Sequence, residues 1–169
     1  MFAKMLLRDL AIVGGAGLLW WLLAGFSGDV GPVADFTGVL VGLAVGLVPF
    51  VLHEWGHLFG AIATRSSVRP PTTLATPYLF SFDSKQNSRR QFLAMSFSGW
   101  VVSIAVAWAI YTQLPPDLLA TRVARGVVVL AIGLIVVIEV PLVAFSLWTG
   151  RVPPVETQAK PRARDRAAA

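Results

Sequence analysis

His53, Glu54, Trp55, Gly56 and His57 spell H-E-x-x-H inside an apolar run that extends from Gly38 to Ile62. His53 and His57 are the chain's two histidines, and on a helix they stand one turn apart on the same face. Both imidazoles can then point at one ion, while Glu54 lies beside them within reach of a water molecule. That is the donor set of a hydrolytic zinc site, in which the metal activates water and polarises a carbonyl, and a carboxylate moves the proton. An unpaired carboxylate flanked by imidazoles in hydrocarbon costs several kcal/mol, so the motif at this position needs a compensating partner, and a cation supplies one.

The chain contains no cysteine, which removes thiolate ligands, disulfides and cysteine nucleophiles and leaves His, Asp and Glu to hold a metal. Of the nine acidic residues, Asp9, Asp29, Asp35, Asp83, Asp117, Glu156 and Asp165 fall in loops or near the ends of apolar runs, leaving Glu54 and Glu139 within them. Glu139 is the expected third ligand. His53 and His57 lie 12 and 8 residues before Arg65, and Glu139 lies 12 before Arg151. At ~1.5 Å per residue these are depths of roughly 18, 12 and 18 Å from the basic residue closing each helix. The alternative is a protonated Glu139 bonded to a neighbouring helix. Pro49 and Pro141 flank the same level, and a kink at either would admit water. Ser96, Ser98 and Gly99 bring small side chains to that depth.

Four apolar segments must position these groups: approximately 10 to 26, 38 to 62, 91 to 113 and 126 to 148, each close to the ~20 residues that cross a bilayer. With 56% hydrophobic residues and a mean hydropathy of +0.70, the chain reads as an all-α integral membrane protein of about four transmembrane helices, residues 1 to 150 forming a single polytopic domain. The first segment, with Lys4 and Arg8 ahead of it, also fits a secretory signal peptide. Twelve of the 14 Lys and Arg residues lie before segment 1, between segments 2 and 3, or after segment 4, against Arg122 and Arg125 on the other side. This predicts cytoplasmic N- and C-termini, in the cell membrane, the inner one if the source is bacterial. The +5 net charge then reflects topology and attraction to the lipid bilayer rather than to nucleic acid.

Gly38, Gly42 and Gly46 form a small-xxx-small ladder that lets another helix come close, and Gly14 and Gly17 are expected to do the same in segment 1. The cytoplasmic loop from Thr64 to Arg90 holds Pro70, Pro71 and Pro77 before Tyr78, Leu79, Phe80, Ser81 and Phe82, whose alternation predicts a short strand or β-hairpin, with a plain connector as the alternative. Residues 151 to 169, rich in Ala, Pro and Arg, read as a disordered cytoplasmic tail. With two histidines a membrane di-iron hydroxylase is excluded. No second broken helix or internal repeat supports a transporter.

From Pro49 to Ser103 the chain resembles the site-2 protease family of intramembrane zinc metalloproteases: H-E-W-G-H-L-F-G-A in the second segment, T-P-Y-L-F-S-F in the loop, then S-R-R-Q-F-L-A-M-S-F-S-G at the start of the third. The resemblance implies a metalloendopeptidase that hydrolyses a membrane-anchored protein within or near its spanning helix, with Glu54 as general base and acid and one Zn2+ held by His53, His57 and a third carboxylate, for which the depth count above gives Glu139. It also implies substrate contacts at Thr76, Tyr78, Phe80 and Phe82, presenting an unwound substrate as an added strand, and at Gly99 and Ser103. The chain departs from the family pattern in three places. Trp100 replaces a usual Pro, Ser103 replaces a usual Asn, and Leu147-Trp148-Thr149-Gly150 stands where the family has Leu-Asp-Gly with its Asp ligand. The alternative reading is a catalytically altered or non-proteolytic membrane subunit or scaffold that keeps the metal motif and uses its glycine faces for a helix-packing partner or a second copy.

Overall fold

Gly31, at φ +130°, and Pro32, at the first turn, start the longest helix of the chain, because a positive φ suits glycine and proline's missing N–H is not needed there. The computed structural model describes residues 1 to 154. The helices are α1 (Phe2–Leu23), followed by a 3₁₀ turn (Ala24–Gly28), α2 (Pro32–Ala63), α3 (Arg89–Gln113) and α4 (Leu119–Thr149). All four are long and apolar enough to cross a membrane, so the all-α, four-span expectation holds. The second and fourth segments lie inside longer helices, the first begins inside α1 and ends in the 3₁₀ turn, and the third coincides with α3 but for two residues at its start. α2 and α4 run unbroken through Pro49 and Pro141. Residues 155 to 169, most of the predicted tail, lie outside the described residues.

α2 is the central element, packed on all three other helices. Its glycines explain how. A Cβ at Gly38, Gly42 or Gly46 would lie 2.9 Å from Leu119 Cβ, 2.6 Å from the Ala120 carbonyl oxygen and 2.6 Å from Val127 Cβ, so this ladder seats α4. Nearly three turns further along, Gly56 and Gly60 seat α3, their Cβ positions falling 2.9 Å from Gly99 Cα and 2.6 Å from the Ala94 carbonyl oxygen. The same role expected of Gly14 and Gly17 is not found: nothing lies within 4 Å of either Cβ position. α1 meets α2 through side chains instead, with Met5 fully buried and the Asp9 carboxylate accepting from the Trp55 indole at 2.8 Å.

The loop between α2 and α3 carries a two-stranded antiparallel sheet, β1 (Val68–Arg69) against β2 (Ser81–Phe82), with Val68 opposite Phe82 and Arg69 opposite Ser81. Asn87 fastens its base like an extra rung, donating to the Ser67 carbonyl at 2.8 Å and accepting from the Ser67 N–H at 2.7 Å. Ser88 and Gln91 then form a reciprocal capping box that starts α3. The Gln91 side chain also donates to the carbonyls of Thr64 and Arg65 at the end of α2. The principal core, Met5, Leu58, Ala61, Leu79, Phe80, Phe82, Phe92 and Val143, joins the loop to all four helices.

Candidate metal centre

Helical periodicity carries His53 and His57 to one face of α2, and the glycine contacts draw α3 and α4 onto that helix closely enough for side chains from three helices to meet. His53 Nε2 lies 2.7 Å from Glu139 Oε1 and 2.9 Å from His57 Nε2, and His57 Nε2 lies 3.6 Å from the same carboxylate oxygen. The rings stand edge to face, centroids 4.2 Å apart. These three residues offer one ligand atom each within 4.8 Å of one another, a group able to hold a metal ion.

The far side of each ring decides what the near side presents. His57 Nδ1 is 2.9 Å from the Met95 carbonyl oxygen, and His53 Nδ1 is 2.7 Å from Ser103 Oγ and 3.2 Å from the Gly99 carbonyl oxygen. A carbonyl only accepts, so these contacts place the N–H of each neutral ring at Nδ1 and leave both Nε2 lone pairs facing Glu139 Oε1. Three acceptors converging within 3.6 Å of one another repel unless a proton or a cation lies among them. Donors around a tetrahedral zinc at ~2.0–2.1 Å stand about 3.3 Å apart, so the observed 2.7, 2.9 and 3.6 Å fit such an ion after shifts of a few tenths of an ångström.

Sequence reasoning assigned no role to Trp100, whose Nε1–H donates to Glu139 Oε2 at 2.7 Å. Each oxygen of Glu139 therefore has its own neighbour: Oε1 the histidines, Oε2 the indole. Nor did it single out Asp9. This residue lies inside α1, is 3% exposed, and links Arg8 at 2.7 Å to Trp55 of the motif itself.

Glu54 is buried and lines the spaces around the cluster. One cavity of about 270 Å³ is bounded by Glu54, His57, Tyr78, Phe80, Phe82 and Glu139 with α3 and α4 side chains. A second of about 270 Å³ runs between α2 and α4 along Pro49, His53, Ser103, Ile135 and Glu139. A third, about 290 Å³, reaches Glu54 from the α1 side past Arg8, Asp9 and Thr76. No protein-family model, curated protein or solved structure matches this chain.

The residues expected to meet a substrate fall in three places. Tyr78, Phe80 and Phe82 do line the first cavity, and half-exposed Tyr78 also borders the second. Thr76 borders the third cavity instead, its carbonyl accepting from Arg8 Nη1 at 2.7 Å as the Leu74 carbonyl does at 2.9 Å, and the Leu79 N–H lies 3.4 Å from Glu54 Oε2. Gly99 sits behind the ligands, where a Cβ would clash with the His57 ring, while Ser103 both bonds His53 through its hydroxyl and borders the second cavity. Trp148, near the end of α4, is 93% exposed.

Proposed function

We propose that this chain is a zinc-dependent intramembrane protease of the site-2 protease kind, cleaving a membrane-anchored protein within or beside its spanning segment, with both termini and the access route on the cytoplasmic side. The observation that carries the reading is the convergence of His53 Nε2, His57 Nε2 and Glu139 Oε1 around apolar cavities that Glu54 also lines.

In this reading the two imidazoles and Glu139 hold the zinc, which when bound supplies Lewis acidity for peptide hydrolysis. Glu54 accepts a proton from water as the water oxygen bonds to the scissile carbonyl carbon, then delivers that proton to the leaving nitrogen as the C–N bond breaks. Ser103, Gly99 and Met95 keep both rings in the ligating tautomer. The substrate is an apolar peptide segment, since the second cavity is walled by Phe50, Val128, Ile132, Leu134, Ile135 and Ile138 and a spanning helix must unwind to expose a peptide bond there.

The test compares membranes of cells carrying the wild type or Glu54→Gln by mass spectrometry of new protein N-termini. New termini inside or beside spanning segments are expected with the wild type alone, with zinc retained by both purified proteins. The same cuts from Glu54→Gln, or a wild type purified without stoichiometric zinc, would refute the proposal.

A further inference from the structure

Glu139 has two oxygens, and the surroundings treat them differently. Oε1 lies 2.7 Å from His53 Nε2 and 3.6 Å from His57 Nε2, while Oε2 accepts the Trp100 indole N–H at 2.7 Å. An indole N–H only donates; it can neither ligate a metal nor take a proton, so its one service to a carboxylate is to hold an oxygen in place. Trp100 is itself anchored: it packs on the principal core and stands edge to face against Phe97, centroids 5.2 Å apart at 88°. Its helix is fixed on α2 by the contacts of Gly56 and Gly60.

We propose that Trp100 is a positioning residue that turns the second oxygen of Glu139 away from the convergence point, so that Glu139 spends one oxygen on the metal and leaves a coordination position for water and substrate. The inference rests on the metal reading given above. A carboxylate free at both oxygens binds such ions in either the one-oxygen or the two-oxygen mode, and the two-oxygen mode adds a fifth donor beside the bound water, taking the room into which a hydrolytic site expands when substrate arrives. Glutamate has one methylene more than aspartate and correspondingly more freedom, so a carboxylate reaching in from Glu139 needs an external restraint. The indole supplies it through a charge-assisted bond.

The test uses the full-length chain in detergent with Co2+ as probe, because its visible absorption is stronger in four-coordinate than in five-coordinate sites. Trp100→Phe keeps a ring against Phe97 and removes the donor; Phe97→Leu removes the ring contact and keeps the donor. The expected result is a four-coordinate spectrum in the wild type and in Phe97→Leu. Trp100→Phe should give a weaker, five-coordinate spectrum with about 10- to 100-fold lower affinity, the range for losing a partner of a metal ligand. If Trp100→Phe matches the wild type in spectrum and affinity, the inference is wrong while the metal reading stands. If the wild type binds no Co2+ through its histidines, both fall.

A second measurement needs no variant at position 100. In the zinc-loaded wild type, the Trp100 indole N–H should exchange with solvent far more slowly than that of exposed Trp148. Equal exchange would overturn the proposal even if Trp100→Phe did not fold.

Discussion

Gly99→Ala is the most sensitive single probe of the geometry. The added Cβ would lie 2.4 Å from His57 Cε1, 2.5 Å from Nδ1 and 2.9 Å from Nε2, where ordinary contact begins at 3.4 Å. The ring must therefore retreat by about 1 Å, or α3 must back away from α2. Neither is easy. The ring is held by the Met95 carbonyl on its other nitrogen at 2.9 Å, and the backbone of Gly99 faces Gly56 across a gap that admits no side chain. Overpacking of this kind costs about 1–3 kcal/mol of stability. Moving one of three ligands by ~1 Å should weaken zinc binding by at least the ~100-fold upper end seen for lost supporting contacts. Zinc affinity by chelator competition, alongside thermal melting of the metal-free protein, reads both effects. Gly133→Ala, with nothing within 4 Å of its Cβ, is the matched control and should leave zinc affinity unchanged and stability equal or higher, by up to about 1 kcal/mol of helix propensity. A Gly99→Ala protein that binds zinc as tightly as the wild type would refute the placement of His57 against α3.

Ser103→Ala removes the hydroxyl from His53 Nδ1 but leaves the Gly99 carbonyl at 3.2 Å, so zinc affinity should fall by about 10-fold, the low end for such partners; a change above 100-fold would mean that Ser103 does more than orient the ring. Arg8→Ala takes two charge-assisted bonds from the carbonyls of Leu74 and Thr76, and hydrogen exchange across residues 74 to 80 should accelerate about 10-fold or more; unchanged exchange would show that Arg8 does not secure this loop. Trp148→Ala should leave zinc content intact, because its side chain is almost wholly exposed, and a loss would relocate the third ligand to that stretch of α4.

What could be read beforehand followed from strong, local constraints. An H-e-x-x-H pair is set by helical period alone, and the level of Glu139 followed from counting rises back from Arg151. The Gly38, Gly42, Gly46 ladder was readable because its i, i+4 spacing keeps one face bare. The identical argument failed for Gly14 and Gly17, since a glycine face says that a helix can approach and not that one does. The partners of the ligands escaped notice for a different reason: they are long-range pairings between helices. Yet one signal was available. A tryptophan inside a span needs an acceptor for its indole N–H, and Trp100 lies 10 residues after Arg90, roughly 15 Å deep at the helical rise, near the level of Glu139. The same reasoning would have paired Trp55 with an acid, although nothing in one-dimensional order singles out Asp9, 46 residues away and on another helix.

The central claim, that His53 and His57 from α2 and Glu139 from α4 hold one zinc ion, is tested most directly by the zinc content of the purified full-length chain beside Glu139→Ala. One zinc per wild-type chain and a large loss in the variant, with helix content unchanged, is the predicted result. Equal zinc in both proteins, or none in the wild type after purification in zinc-containing buffer, would contradict it.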